Sequence, residues 1–342
     1  MTAITFATPH SNLRPVNVHA DLDQIADLIE ICFGDQMDPD GREYIRHLRR
    51  AARDSGYLRW IRGAHERVSL PLHGYVWVEG RRIIGNLTLI PFMVGWSWYY
   101  LIANVAVHPD FRRRGIGRAL TVRALEHIRE HGASNAWLQV RDDNPSAIEL
   151  YRSLGMVEMA RRTTWQSIST PPQAVMNTEI LVRYRAAHDW PQQKEWLLRT
   201  YPPEVAWNLP IEPAAYNPSF ARQVWNFLNN QEYRHWSAED QQGRLQGVIT
   251  WQPSRHYADN IWLALRDDAA PMAITALLGH VRNNFFGRRP LLLNLPAGLD
   301  EIPFWEAGFE QHNTLIWMEM PFTRTKSKSI LDLSASGNLE KK

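Results

Sequence analysis

Apolar residues recur at helical spacing near the start of the chain and at strand spacing over the next hundred residues. Ile25, Leu28, Ile29 and Cys32 repeat every three to four positions, which predicts a helix with Asp21 as its N-cap. Runs rich in β-branched and aromatic residues, separated by turn residues, predict strands. The elements predicted for this part of the chain are strands at 14–19, 74–79, 83–92, 99–107, 136–140 and 156–168, and helices at 42–53, 117–131 and 145–153.

This order of elements predicts an α+β protein with a mixed, mostly antiparallel sheet and helices packed on it. Thr170-Pro171-Pro172 then interrupts the pattern and is typical of a linker. The segment 323–342 is rich in Ser, Lys and Thr without sustained apolar periodicity, so we expect a mobile tail there.

The sequence after the linker resembles the sequence before it, which indicates an internal repeat. Residues 119–129 align with 272–282 at an offset of 280 − 127 = 153. A second match, Gly85-Asn86-Leu87-Thr88 with Gly247-Val248-Ile249-Thr250, has an offset of 247 − 85 = 162. The pattern therefore predicts that the fold occurs twice, with one domain at 1–169 and a second at 174–322.

Composition narrows the functional class. The chain has 342 residues, and its net charge of +2 gives no reason to expect nucleic acid or an anionic membrane as a partner. No apolar run approaches the length of a membrane span, and we expect a cytoplasmic protein, as a monomer or homodimer. Cys32 is the only cysteine, so no internal disulfide forms, and nothing suggests a metal site.

The stretch 105–120 carries the clearest chemistry. It reads as a strand, then a glycine-containing loop, then the start of a helix, an arrangement that points backbone amides at an anion. Gly115 and Gly117 allow a phosphate to approach the backbone, and Arg112, Arg113 and Arg114 add positive charge. The alternative is a basic surface turn whose glycines only permit tight geometry.

Two other phosphate loops do not fit. A P-loop requires Gly-Lys-Ser/Thr at its end, but Arg118 and Ala119 follow Gly117. A dinucleotide fingerprint requires Gly or Ala where Leu120 stands. What remains, Arg112-x-x-Gly115-x-Gly117, resembles the pyrophosphate loop of the GNAT superfamily of acyl-CoA-dependent N-acyltransferases.

A second segment strengthens this resemblance. Residues 144–156, which read Asn-Pro-Ser-Ala-Ile-Glu-Leu-Tyr-Arg-Ser-Leu-Gly-Met, resemble the family's Asn-x-x-Ala-x-x-x-Tyr-x-x-x-Gly-Phe segment, with Met156 in place of Phe. The resemblance implies a GNAT fold and acetyl-CoA as co-substrate, without a metal. It assigns cofactor contacts to Val105, Ala106, Val107, Arg112, Arg113, Arg114, Gly115, Ile116, Gly117, Arg118, Asn144, Ala147 and Tyr151.

The expected reaction is direct attack by a primary amine of a small molecule or peptide on the thioester. The family resemblance implies that Tyr151 lies near the departing sulfur as the proton donor, and that a backbone amide of 105–107 holds the developing oxyanion. The general base stays open among Asp35, Asp38, Asp40, His108, Asp142 and Asp143, each of which also reads as a loop charge or helix cap. The alternative function is a non-catalytic acyl-CoA-binding sensor.

The second half lacks the chemistry of the first. At the offset of 153, Phe304 replaces Tyr151 and Ala297 replaces Asn144. Asp267 and Asp268 lie where an anion would bind and would repel a pyrophosphate. We therefore expect a degenerate copy that packs against the first half and walls the acceptor pocket.

Overall fold

The computed structural model describes residues 12–54, 56–57, 73–171 and 179–322. The predicted tail at 323–342 lies outside these residues. The first half contains β1 (Leu13–Pro15), α1 (Leu22–Phe33), α2 (Pro39–Arg53), β2 (Gly74–Glu79), β3 (Arg82–Val94), β4 (Ser97–Val107), α3 (Ile116–Glu130), β5 (Asn135–Arg141), α4 (Pro145–Ser153) and β6 (Val157–Ser167).

The second half repeats this order with shorter elements. It contains β7 (Ile180–Tyr184), α5 (Trp190–Thr200), α6 (Pro203–Ala206), α7 (Phe220–Leu228), β8 (Arg234–Asp240), β9 (Leu245–Gln252), β10 (Asp259–Leu265), α8 (Pro271–Phe285), β11 (Leu291–Pro296), α9 (Ile302–Glu306) and β12 (Phe309–Pro321).

All twelve strands form one continuous sheet, in the order β1-β2-β3-β4-β5-β12-β6-β11-β10-β9-β8-β7. The last strand of each half is exchanged: β12 lies between β5 and β6, while β6 lies between β12 and β11. Most neighbours are antiparallel, and β4–β5 and β10–β11 are the parallel pairs. The predicted mixed, mostly antiparallel sheet is confirmed, and its order is symmetric about the β12–β6 pair.

Alternation along the strands explains how the helices cover both faces of the sheet. Val76 and Ile83 pack against α1 and α2 on one face. Tyr75 and Ile84, their chain neighbours, belong to the core under α3 and α4 on the other face, as expected when successive side chains point to opposite sides.

The repeat is confirmed by strand register. Gly85 pairs with Trp77 just before a bulge and with Val107 at the end of β4, and Gly247 pairs in the same way with Ala238 and Leu265. A Cβ on Gly85 would lie 2.9 Å from Ile116, and one on Gly247 would lie 2.7 Å from Leu265. Both glycines therefore stand at equivalent, crowded positions, where a Cβ would collide with packed side chains.

Most predicted elements differ from the observed ones only at their ends. The exception is the first strand, predicted over 14–19 but limited to Leu13–Pro15. Asp21 occupies the N-cap position of α1, yet its carboxylate does not cap the helix. It accepts hydrogen bonds from Arg14 at 2.6 Å and from the amide of Asn17 at 2.7 Å, and these contacts hold the chain as it enters α1.

Candidate functional site

A cleft opens between β4 and β5 because these parallel strands separate. They pair only from Tyr99 with Asn135 to Ile102 with Leu138, although β4 continues to Val107 and β5 to Arg141. At the point of separation the register of β4 against β3 shifts, and Asn104 has a φ of 51°. The bulge at Asn104 therefore turns β4 away from β5.

Backbone groups of β4 line this cleft. The amide of His108 donates to the carbonyl of Ile84 on β3 at 2.9 Å. Because the polar groups of successive strand residues point to opposite edges, those of Val107 and Val105 face the cleft, and those of Ala106 face β3. The Val107 carbonyl accepts from Arg112 Nε at 3.2 Å and from Cys32 Sγ at 3.4 Å. The Val105 amide is therefore directed at whatever occupies the cleft.

The glycine-containing loop continues from β4 into the N-terminus of α3. Gly115 is the N-cap with φ 78° and ψ 0°, and no side chain caps the helix. The first amides of α3, from Ile116 onward, have no acceptor within the helix, and the helix dipole adds partial positive charge. The loop thus directs uncapped backbone amides toward the end of the cleft.

Gly117 is not required by the fold. A Cβ there would lie 3.6 Å from Leu150 Cδ2 and 3.8 Å from Val107 Cγ2, which are ordinary contact distances. Its φ is not in the left-handed region. Gly117 lies where the end of β4, the loop and α4 meet, and its lack of a side chain allows a ligand to approach the backbone closely.

The arginines of the loop have different environments. Arg112 is held by the Val107 carbonyl, and Arg114 donates to the carbonyl of Asp110 at 3.4 Å while lying over the Phe111 ring. Arg113 adopts a φ of 65°. Arg118 Nη1 donates to Ser153 Oγ at 2.8 Å, which joins α3 to α4. Arg112, Arg113, Arg114 and Arg118 are all exposed or half-buried, as ligand-binding cations should be.

The structure places Asn144 and Tyr151 on α4 in different roles. Asn144 is the N-cap of this helix, and its Oδ1 accepts from the Ala147 amide at 3.2 Å and from Ser146 Oγ at 3.0 Å. Tyr151 is 6% exposed, and burial raises its pKa to about 12. Its hydroxyl has no hydrogen-bond partner within the described part of the chain, so Tyr151 is a protonated donor whose hydrogen bond is unused.

Several candidates for the general base are engaged elsewhere. Asp38 caps α2 through the Gly41 amide at 2.7 Å, and Asp40 accepts from the Tyr257 amide at 3.0 Å. Arg82 donates to His108 Nε2 at 2.8 Å. Asp143 pairs with Arg141 at 2.9 Å, and this ion pair lowers the pKa of the Asp143 carboxyl.

The corresponding cleft in the second half is filled by the protein itself. Since Leu265 occupies the place of Val107, Leu263 occupies that of Val105. The hydroxyl of Tyr201, which is 1% exposed, accepts from the Leu263 amide at 3.4 Å, and Arg162 lies over its ring. The amide that would face a ligand is therefore taken. The repeat did not predict this contact, because Tyr201 lies outside every aligned segment.

The anion loop of the second half is also lost. Pro271 stands at the first position of α8 and removes one amide. Asp268 pairs with Arg266 at 2.5 Å, and Asp267 pairs with Arg199 at 2.9 Å. The two carboxylates that were expected to repel a pyrophosphate are thus each paired with an arginine, and Phe304, in the place of Tyr151, stacks on Trp165 at 4.5 Å.

In the ranges that the structure covers, no group of three or more His, Cys, Asp or Glu side chains is arranged to hold a metal ion. Within the same ranges, no helix has both the length and the apolar character that crossing a membrane requires.

Comparison with known proteins gives matches to acetyltransferases. Residues 42–156 match the family described as Acetyltransferase (GNAT) family. The [ribosomal protein bS18]-alanine N-acetyltransferase of Escherichia coli (strain K12) is 42% identical over 62 residues, which cover 18% of this chain and 42% of the relative. The mycothiol acetyltransferase of Thermobifida fusca (strain YX) is 47% identical over 51 residues, which cover 15% of this chain and 16% of the relative. This chain thus spans less than half the length of these relatives.

Among solved structures, a GCN5-related N-acetyltransferase from Sphaerobacter thermophilus superposes with a TM-score of 0.57 at 18% identity. The superposition covers 92% of this chain and 97% of that protein, so the shared fold extends over both halves.

Proposed function

We propose that the chain transfers an acetyl group from acetyl-CoA to a primary amine, as the match of residues 42–156 to the GNAT family of acetyltransferases supports. The acceptor class proposed is a small molecule or a peptide. The relatives already include enzymes named for a ribosomal-protein alanine and for mycothiol, so the acceptor differs among them.

The observation that carries the proposal is the contrast between the two clefts. The fold is the same in both halves. In the second half the Leu263 amide donates to the Tyr201 hydroxyl, whereas in the first half the Val105 amide faces an open cleft. In the second half, the buried Tyr201 side chain takes the backbone amide that a ligand would need. An open cleft beside an uncapped helix N-terminus supports a ligand site in the first half.

The residues present fit acetyl-CoA. The amides at the start of α3 and the arginines around Gly115 suit a pyrophosphate. The separated edge of β4 suits the amide-containing arm of the coenzyme, which can pair with Val105 and Val107 as an added strand would. Acetyl-CoA supplies the activated acyl group, and the chain supplies position and charge stabilisation.

Two groups of this chain act on the reacting atoms in the proposed mechanism. The Val105 amide donates to the thioester carbonyl as negative charge develops there, which lowers the barrier without any rearrangement. As the C–N bond forms and the C–S bond breaks, the amine nitrogen loses one proton to solvent, and Tyr151 stabilises the leaving thiolate by donating its unused hydroxyl hydrogen bond to the sulfur. Because a thiol has a pKa of about 8.5, the leaving group needs only modest help, and a tyrosine with a pKa of about 12 stays protonated to give it.

The test combines calorimetry with turnover. Acetyl-CoA is titrated into the full chain, and release of the coenzyme A thiol is then followed with a panel of small amines and peptides. We expect one binding site per chain and turnover with at least one amine. Binding of acetyl-CoA without turnover on any amine would favour the sensor, and no binding would refute the acetyltransferase proposal.

A further inference from the structure

A second cavity lies far along the sheet from the cofactor cleft, under α7 in the second half. Its volume is about 540 Å³, within the range of ordinary ligand pockets. The lining includes Arg185, Tyr216, Asn226, Tyr233 and His235. These residues come from the ends of β7 and β8 and from the chain around α7. This part of the second half does not correspond to the anion loop of the first half.

Arg185 and His235 project into this region together. The Arg185 amide donates to the His235 carbonyl at 3.1 Å, so the two residues are neighbours across the β7–β8 ladder, one step beyond the Tyr184–Trp236 pair. Directly opposed strand residues point to the same face of a sheet. A cation and an imidazole are thus fixed side by side on rigid backbone.

The guanidinium of Arg185 is only half used. Its Nη1 donates to Gln193 Oε1 at 2.6 Å and to the Tyr216 carbonyl at 2.8 Å. Its Nε is buried without an acceptor, and within the described residues neither Nε nor Nη2 donates a hydrogen bond. Nε is enclosed by protein atoms, so the donor left for a ligand is Nη2, which has no acceptor among the described residues.

The positive charge of Arg185 also lacks a counter-ion. Within the described ranges no carboxylate lies within ion-pair distance of Arg185, because the nearby Asp189 is taken by Arg183 at 2.7 Å. Glu232, which lines the cavity, is likewise paired with Arg234 at 2.7 Å. The ring of Trp190, whose centroid lies 5.7 Å from Arg185 Cζ, faces the guanidinium on one side, and a ligand anion can pair with the charge from the cavity.

The surrounding network holds Arg185 in place rather than neutralising it. Gln193, fully buried, donates to Thr250 Oγ1 at 3.0 Å, and the same hydroxyl lies 2.8 Å from His235 Nδ1. Burial, aided by the charge of Arg185, lowers the pKa of His235 to about 3, so the imidazole is neutral and adds no second charge. The cavity therefore offers one fixed positive charge.

The other walls are aromatic and amide. Tyr216 and Tyr233 meet edge to face at 5.0 Å, and Tyr216 contacts the His235 ring at 5.4 Å. Asn226 lies beside them, and its Nδ2 donates to the Ala215 carbonyl at 2.8 Å. Rings beside a single unpaired guanidinium suit a flat ligand with one acidic group.

We propose that this cavity is a binding site for a small aromatic carboxylate, whose carboxyl group pairs with Nη2 of Arg185. The site is separate from acetyl transfer, and its existence does not depend on the proposed function.

The probe is benzoate, with benzamide as a neutral ligand of the same shape and inorganic phosphate as an oxyanion without a ring. Binding to the full chain is measured by ligand-observed NMR and by the shift in Tm. We expect benzoate to bind with a Kd of about 1 mM, as befits so small a ligand, and at least about tenfold more tightly than benzamide or phosphate. Equal binding of benzamide, or of phosphate, would overturn the proposal.

Two variants separate binding from structure. Arg185→Gln should weaken benzoate binding at least about tenfold, because it removes the charge with which the carboxylate pairs. Its Tm should also fall, since Gln193 Oε1 and the Tyr216 carbonyl lose their donor. Arg244→Gln, a control on an exposed arginine paired with Asp240, should change neither benzoate binding nor Tm. Undiminished benzoate binding in Arg185→Gln would contradict the proposal.

Gln223→Trp places a large side chain at the exposed rim of the cavity without altering the charge of Arg185. We expect it to weaken benzoate binding at least about fivefold with an unchanged Tm. Unaltered benzoate binding in this variant would place the ligand elsewhere and overturn the assignment of the site.

Discussion

Replacing Gly117 by aspartate should separate cofactor binding from stability, because the two respond in opposite directions. A Cβ at this position has room, with Leu150 Cδ2 at 3.6 Å and Val107 Cγ2 at 3.8 Å. The position is the second residue of α3, where a negative side chain interacts favourably with the helix dipole. The same carboxylate would stand where the pyrophosphate of acetyl-CoA is proposed to bind.

The expected magnitudes follow from simple electrostatics. Two unit charges 4 Å apart repel by about 1 kcal/mol in bulk water and by about 4 kcal/mol at an effective dielectric constant near 20. Gly117→Asp should therefore weaken acetyl-CoA binding by between about 5-fold and about 1000-fold. Removing a helical glycine and adding a favourable dipole interaction should together stabilise the fold by about 1 kcal/mol, which raises Tm by about 2 °C.

Calorimetric titration and thermal unfolding of the same samples test both expectations. Gly117→Ala is the matched control, since it adds the Cβ without the charge and should keep the affinity within about threefold. Raising the salt concentration to about 1 M should reduce the defect of the aspartate variant. Wild-type affinity in Gly117→Asp, or an equal loss in Gly117→Ala, would refute the placement of the pyrophosphate beside Gly117.

Three further outcomes are expected. Tyr151→Phe should lower kcat about 100-fold with little change in the KM for acetyl-CoA and no loss of Tm, because the hydroxyl has no partner within the described structure; an unchanged kcat would remove Tyr151 from the mechanism. His235, whose folded pKa of about 3 lies below its unfolded value of about 6.5, should make the free energy of unfolding fall by about 1.4 kcal/mol per pH unit as pH drops below about 6.5; His235→Gln should flatten this limb in urea titrations, and an identical slope would contradict the assignment. A chain ending at residue 169 should fail to fold alone because it lacks β12, and co-expression with residues 174–342 should restore a complex; a stable, monomeric fragment would count against the exchanged strand.

The sequence predicted the local elements well, because their signals are local. The helix at Pro145–Ser153 was predicted to the residue, since Asn144 provides the cap and the apolar spacing follows at once. The first strand was predicted too long because the chain turns at Asn17. The Asn17 carbonyl accepts hydrogen bonds from the amides of Ala20 and Asp21, and the Asp21 carboxylate accepts one from the Asn17 amide. A β-rich composition does not reveal such side-chain contacts.

The candidate site was predictable where residues are neighbours in the chain and unpredictable where they are not. The loop and α4 follow from motifs, but the contact of Asp40 with Tyr257 joins residues 217 positions apart. The contact of the Tyr201 hydroxyl with the Leu263 amide was not predicted for the same reason. Such contacts depend on the arrangement of the whole sheet, for which the periodicity of single segments carries no information.

The exchanged strand β12 connects the second half, which has no open cleft, to the wall of the cleft in the first half. Beyond Leu138, β5 no longer pairs with β4, and among the described strands its remaining neighbour is β12. There Trp317 pairs with Gln139, and Leu315 pairs with Arg141. The far wall of the cleft between β4 and β5 is therefore held in position by the last strand of the second half. A change in the core of that half, although distant in sequence and empty of cofactor chemistry, can thus alter the width of the cleft in which the proposed transfer takes place.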